Sequence, residues 1–137
     1  MSLSSIPKLL RQQIFERDQG RCAFCRLAQT GQGTLFHINH VIPRSTGGPT
    51  VVDNLVLQCP YCSLHKSNTI RALDGVENEE VSLFHPLQQR WHEHFVMLDD
   101  ASLRGRTAVG RVTVVTLHMN DPIPRTARAL QIMLGLL

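Results

Sequence analysis

Cys22-Ala23-Phe24-Cys25 and Cys59-Pro60-Tyr61-Cys62 frame the stretch that decides how this chain is read. Between them run Leu35-Phe36-His37-Ile38-Asn39-His40-Val41-Ile42-Pro43, then Arg44-Ser45-Thr46-Gly47-Gly48, then Asp53-Asn54-Leu55. A two-residue gap lets both sulfurs of a knuckle face one centre, and two knuckles complete a tetrahedron of thiolates around Zn²⁺. Four thiolates leave no open position, so such a zinc is structural. Two disulfides, a redox Cys-x-x-Cys pair and buried free thiols are the alternative readings of the same cysteines. The long separation of the knuckles exceeds a simple zinc ribbon and requires something folded between them.

That insert carries a resemblance. The order Cys-x-x-Cys, His40-Val41-Ile42-Pro43-Arg44-Ser45-x-Gly47-Gly48, Asp53-Asn54-Leu55, Cys-x-x-Cys, Lys66 resembles the HNH endonucleases, in particular bacterial ones with a four-cysteine zinc. It covers about residues 6–71. The segment from Phe84 through Arg90-Trp91-x-x-His94-Phe95 looks more loosely like the extension of some of those proteins. The resemblance implies an α+β fold: a small ββα-metal (HNH, or His-Me finger) core stapled by Cys22, Cys25, Cys59 and Cys62. An N-terminal helix precedes this core and a C-terminal α/β extension follows it. It also implies hydrolysis of DNA phosphodiesters to 5′-phosphate and 3′-hydroxyl ends, with a divalent ion (Mg²⁺, Mn²⁺ or another) beside the structural zinc. His40 matches the general base, and an imidazole can take a proton from water near neutral pH. Asn54 matches the residue that buttresses the loop and holds the base.

Two positions depart from the family's pattern. The residue before the base, usually Asp, Glu or His, is Asn39, a neutral ligand. The residue after the fourth cysteine, usually His or Asn, is Ser63. His65 lies two residues on and points about 200° away from Ser63 on a helix, so it replaces Ser63 only if the helix begins late. His37 shares a strand face with Asn39 and offers a nitrogen for the catalytic ion together with Asn39 and Ser63. The other histidines, His85, His92, His94 and His118, read as structural or exposed.

Charge is unevenly spread. Residues 1–71 carry net +5, residues 72–100 net −6 and residues 101–137 net +4. Of the 14 cations only Lys8 and Lys66 are lysine; arginine forks onto phosphate. A basic first half suits an anionic partner, with Arg44 by the Gly-rich loop and Lys66 and Arg71 on a following helix as phosphate contacts, joined by Arg11, Arg17, Arg21 and Arg26. Aromatic residues are 5% of the chain, too few for an extensive base-stacking surface. No apolar run spans a bilayer and no secretion signal is legible, which sets the expectation of a cytoplasmic protein without membrane contact. Oligomeric state is not legible.

The 137 residues suit one domain, read as an HNH core over 1–71 and an extension over 72–137 packed on it. The spacing predicts a helix over 7–17 capped by Ser4 or Ser5, strands near 35–42 and 55–57, and a helix over 63–71. It further predicts an acidic hinge over 74–80, a strand over 91–98 and an amphipathic helix over 122–137. Residues 111–117 fit helix and strand equally. Asn39 and Ser63 keep open a second function, a zinc-stapled DNA binder with weak or no cleavage. The acidic 74–80 segment and apolar Ala129, Leu130, Ile132, Met133 and Leu136 keep open a third, a protein–protein adaptor.

Overall fold

The structure, a computed structural model, describes residues 6–137. The expected caps Ser4 and Ser5 lie outside the described residues. Pro7, extended at φ −62°, ψ 150°, precedes helix α1 (Lys8–Arg17), where its missing N–H costs nothing. The helix buries Ile14 against Ile6 and Leu55. Its last turn then serves its neighbour. Asp18 accepts from Leu57 N at 2.8 Å, and Arg17 donates to the carbonyls of Val52 and Leu55.

Strand β1 (His37–His40) pairs antiparallel with β2 (Leu55–Gln58), with His37 opposite Gln58 and His40 opposite Leu55. β2 is buried throughout, which explains its unbroken apolar run. Helix α2 (Pro60–Lys66) follows. Cys59 caps it with its sulfur, accepting from Cys62 N, and Pro60 takes the first turn. The second knuckle therefore is the start of α2, not a lead-in to it. The helix runs earlier than the predicted 63–71 and stops at Ser67, whose φ is +48°.

The extension adds two hairpins, β3 (Arg71–Leu73) with β4 (Glu80–Ser82) and β5 (Phe95–Met97) with β6 (Leu103–Gly105). One helical turn, α3 (Trp91–His94), occupies the first half of the predicted 91–98 strand. Trp91 stacks on Phe95 and donates from its indole N–H to Phe24 O at 2.7 Å, so the ring's two demands set that turn. The ambiguous 111–117 segment falls in helix α4 (Ala108–Thr116). Thr107 caps it by accepting from Gly110 N. The helix axis also comes so close to α3 that a Cβ on Gly110 would sit 1.9 Å from His94 O. A cap and a glycine outweigh the β-branched run. One core holds Cys22, Phe24, Cys25, Val56, Leu57, Cys59 and Cys62 together with Phe84, Phe95, Val112 and Leu117, so HNH segment and extension share it.

The 74–80 segment is not a free acidic hinge. Asp74 is buried and forked by Arg111, Nε to Oδ1 at 3.0 Å and Nη2 to Oδ2 at 2.9 Å. The Arg111 hydrogen bonds hold the Asp74 carboxyl down at about 2. A depressed folded pKa contributes stability above the unfolded value that is lost as pH falls through the folded one. Urea midpoints should therefore drop between about pH 4 and about pH 2. In Asp74→Asn that part of the drop should be missing, and a parallel fall in both proteins would refute the assignment.

Helix α5 (Pro122–Met133) also departs from its reading. Its buried residues are Pro124, Arg128 and Gln131, while Leu130, Met133 and Leu134 are exposed. Arg128 donates to the carbonyls of Ala101 and Met119, and Gln131 exchanges hydrogen bonds with the Ala28 backbone. Gln131 thus holds the extension beside the first knuckle, while Arg128 ties α5 to loops of the extension itself; hydrophobic periodicity registers neither.

Candidate active site and metal centres

Four buried cysteines meet in the core, their sulfurs within 4.8 Å of one another. Cys25 Sγ and Cys59 Sγ are 3.7 Å apart. Zn–S bonds of 2.3 Å in a tetrahedron put sulfurs roughly 3.8 Å apart, so the cluster fits zinc. Hydrogen bonds from Cys25, Cys59 and Cys62 overcome burial and draw the Cys22 thiol down, while Cys59 and Cys62 are driven up by Cys22 and Cys25. Four closely packed sulfurs cannot all ionise alone, and a divalent cation would supply the missing charge.

The loop between β1 and β2 is built around Asn54, which is 5% exposed. Its Nδ2 donates to Ile42 O at 3.0 Å and Pro49 O at 2.9 Å, and its Oδ1 accepts from Ile42 N at 2.9 Å. Val41 N adds a bond to Asn54 O. The loop closes so tightly that a Cβ on Gly48 would lie 1.7 Å from Ile42 O, and Gly47 is left-handed at φ +90°. Both glycines of the motif are thus required by backbone geometry. Asn54→Ala leaves these buried groups unpaired and should cost about 2–4 kcal/mol. Urea titration checks this, and a loss within a few tenths would show that water replaces the amide.

Thr50, the residue after Pro49, hydrogen-bonds His40 Nε2 through Oγ1 at 2.8 Å. Nothing in the spacing marks Thr50 as a partner of His40; the contact exists because Asn54 fixes the loop. His40 is partly buried, and burial, then the nearby Arg44 charge, lowers its pKa. Its imidazole is therefore neutral at neutral pH and able to accept a proton.

His37 and Asn39 share one face of β1, and both reach Ser63 of α2. Asn39 Nδ2 donates to Ser63 Oγ at 2.6 Å, and His37 Nδ1 lies 3.0 Å from the same oxygen. An imidazole, an amide and a hydroxyl are all neutral. They do not make a Mg²⁺ cage, which relies on carboxylates, but the imidazole suits an ion such as Zn²⁺ or Ni²⁺.

Three expected positions are corrected. His65 does not join this group: its Nδ1 bonds Tyr61 O at 2.9 Å and its ring packs on Tyr61 and His118, because α2 begins at Pro60 and turns residue 65 away from residue 63. Lys66 is 3% exposed and donates to Val41 O at 3.1 Å, with burial pushing its pKa down to about 8. It holds α2 to the end of β1 and is out of reach of a phosphate. Arg71 is on β3, not on a helix, and pairs with Glu80 at 3.1 Å. Arg44 stands exposed on the one-turn helix that opens the loop. Of the earlier arginines, Arg17 is bound to β2 and Arg21 to Leu136 O.

A hairpin and helix closed by four cysteines, with a histidine ending the first strand and an asparagine clamping the loop, define a zinc-stapled ββα domain. Residues 22–69 match the family model of the HNH endonucleases. No curated protein and no solved structure matches the chain. No helix among the described residues is long and apolar enough to cross a membrane.

Proposed function

We propose that the protein is a metal-dependent endonuclease that hydrolyses phosphodiester bonds in DNA, with His40 as the general base. The observation that carries this reading is the neutral His40 imidazole at the end of β1, held by Thr50 within a loop clamped by Asn54. His40 takes a proton from a water, the oxygen attacks phosphorus as the bond to the 3′ oxygen breaks, and that oxygen takes up a proton from solvent, giving 5′-phosphate and 3′-hydroxyl ends. Thr50 and Asn54 are positioning residues: Asn54 fixes Pro49 and Thr50 fixes the ring. His37, Asn39 and Ser63 are the residues for the catalytic ion, which supplies positive charge to the phosphate oxygens. Arg44 is placed to meet a DNA phosphate, with affinity falling as salt rises.

A second reading is a DNA binder that cuts weakly, and it is favoured by the all-neutral set at His37, Asn39 and Ser63. Plasmid nicking with Mg²⁺, Mn²⁺, Ni²⁺ or EDTA tests both. Metal-dependent nicking supports the nuclease. DNA binding without nicking in any ion supports the binder. The double variant Asn39→Asp, Ser63→His supplies an anionic and an imidazole ligand. Such ligands should weigh at least as much as outer-shell partners, whose loss costs roughly 10–100-fold. Nicking should rise by at least tenfold if the neutral set limits the wild type, and an unchanged rate would show that it does not.

A further inference from the structure

Across α2 from Ser63, three side chains from two distant parts of the chain gather at one point. His65, His118 and Asp121 offer ligand atoms within 4.8 Å of one another. His65 belongs to the HNH helix, whereas His118 and Asp121 occupy the turn between α4 and α5. The HNH site uses none of them.

Each is held in a way that suits coordination. A carbonyl only accepts, so the 2.9 Å contact from His65 Nδ1 to Tyr61 O places the ring proton on Nδ1. Nε2 then carries the lone pair. Metal-binding histidines are commonly fixed by such a second bond. The Tyr61 hydroxyl donates to Asp121 Oδ2, which fixes the direction of the carboxylate. The His118 ring lies 4.3 Å from that of His65, tilted 33°, with its Nδ1 3.3 Å from Asp121 Oδ2. His118 is also left-handed, at φ +53°, an uncommon conformation for a residue other than glycine.

We infer that His65, His118 and Asp121 form a second metal-binding site, separate from the zinc knuckles and the HNH face, that takes a transition ion such as Zn²⁺ or Ni²⁺. Two imidazoles and one carboxylate match that class rather than Mg²⁺ or Ca²⁺. Bonds of about 2.0–2.1 Å set tetrahedral donors roughly 3.3 Å apart, and the His118 side chain, 50% exposed, has room to turn inward. Occupancy would tie α2 to the α4–α5 turn and leave one position for water or a further ligand.

The test begins with protein holding its knuckle zinc, one ion per chain by elemental analysis, and titrates Ni²⁺ by calorimetry. The comparison set is wild type and His37→Ala, with His118→Asn and Asp121→Asn each read in the His37→Ala background, because His37, Asn39 and Ser63 also suit Ni²⁺. Asparagine tolerates the left-handed backbone, so His118→Asn keeps the turn, which its melting curve without added metal verifies. The inference expects a Ni²⁺ ion beyond the zinc in wild type and in His37→Ala. Binding should be at least tenfold weaker when His118→Asn or Asp121→Asn is added to His37→Ala, with zinc content unchanged. Ni²⁺ should raise the melting temperature of His37→Ala and not of His37→Ala with His118→Asn. No binding beyond the zinc overturns it. So does binding that survives His118→Asn in that background, or that is already lost in His37→Ala, since the ion then belongs elsewhere.

Discussion

His40→Ala should lower metal-dependent DNA cleavage by ~10²–10⁴-fold, the usual contribution of a positioned general base, while zinc content and the circular dichroism spectrum stay those of wild type. The separation of effects follows from position. His40 is only partly buried, at the end of a four-residue strand, and its side-chain hydrogen bond goes to Thr50. Removing the ring therefore takes out the proposed base without opening the core, which lies around Phe24, Leu57 and the cysteines. Thr50→Val provides the graded control. It keeps the imidazole but releases it, so cleavage should fall by less than in His40→Ala. Nicking at the wild-type rate in His40→Ala would assign the base to another residue.

Removal of the knuckle zinc should unfold the whole chain rather than loosen one end of it. Cys22, Cys25, Cys59 and Cys62 are all at most 1% exposed and belong to the same core as Phe84, Phe95 and Leu117 of the extension. Metal binding contributes ~10–16 kcal/mol of apparent free energy in small structural zinc sites. Domains of this size are stable by only ~5–15 kcal/mol. The loss is of the same size as the total, so little or no folded remainder is expected. Cys59→Ser adds a second injury, because the Cys59 sulfur also caps α2. The measurement is far-ultraviolet circular dichroism of the wild type with and without a strong chelator, beside Cys59→Ser at matched concentration. Near-native helix signal in the apo protein would show that the core stands without the ion. Two separate melting steps would show that the 72–137 extension folds on its own.

Much of the HNH segment was legible because its constraints are local. Cys-x-x-Cys spacing converges two sulfurs wherever it occurs. Gly47-Gly48 are glycines because one is left-handed and the other touches Ile42 O. His37 and Asn39 share a face because strand side chains alternate, and their common contact with Ser63 follows. The start of α2 was misplaced because a cysteine is not read as a helix cap, although its sulfur fills that role here. The misplacement carried Arg71 onto a helix where it has no place. Lys66 was read as a surface cation because lysine is seldom buried, and only the packing of α2 against the end of β1 reveals the Val41 carbonyl that it serves.

The extension was less legible because its stability depends on distant polar partners. Leu130 and Met133 of the amphipathic α5 are exposed, whereas Arg128 and Gln131 are inside. They satisfy carbonyls that loops from elsewhere leave inward, and an unpaired buried carbonyl costs more than an exposed leucine. Asp74 and Arg111, 37 positions apart, form the ion pair that turns an acidic run into an anchored hairpin.

The sequence by itself determined the four-cysteine cluster that fits zinc, the ββα order around it, the tight loop and His40 and Asn54 as candidate base and clamp. Each of these is written in residues close along the chain or in the fixed spacing of a short motif. The tertiary structure alone decided that Thr50 holds His40, that Lys66 is structural, that α5 buries its polar face and that His65 meets His118 and Asp121. Those outcomes depend on which backbone groups and side chains are brought together from far apart, and a one-dimensional pattern carries no record of that.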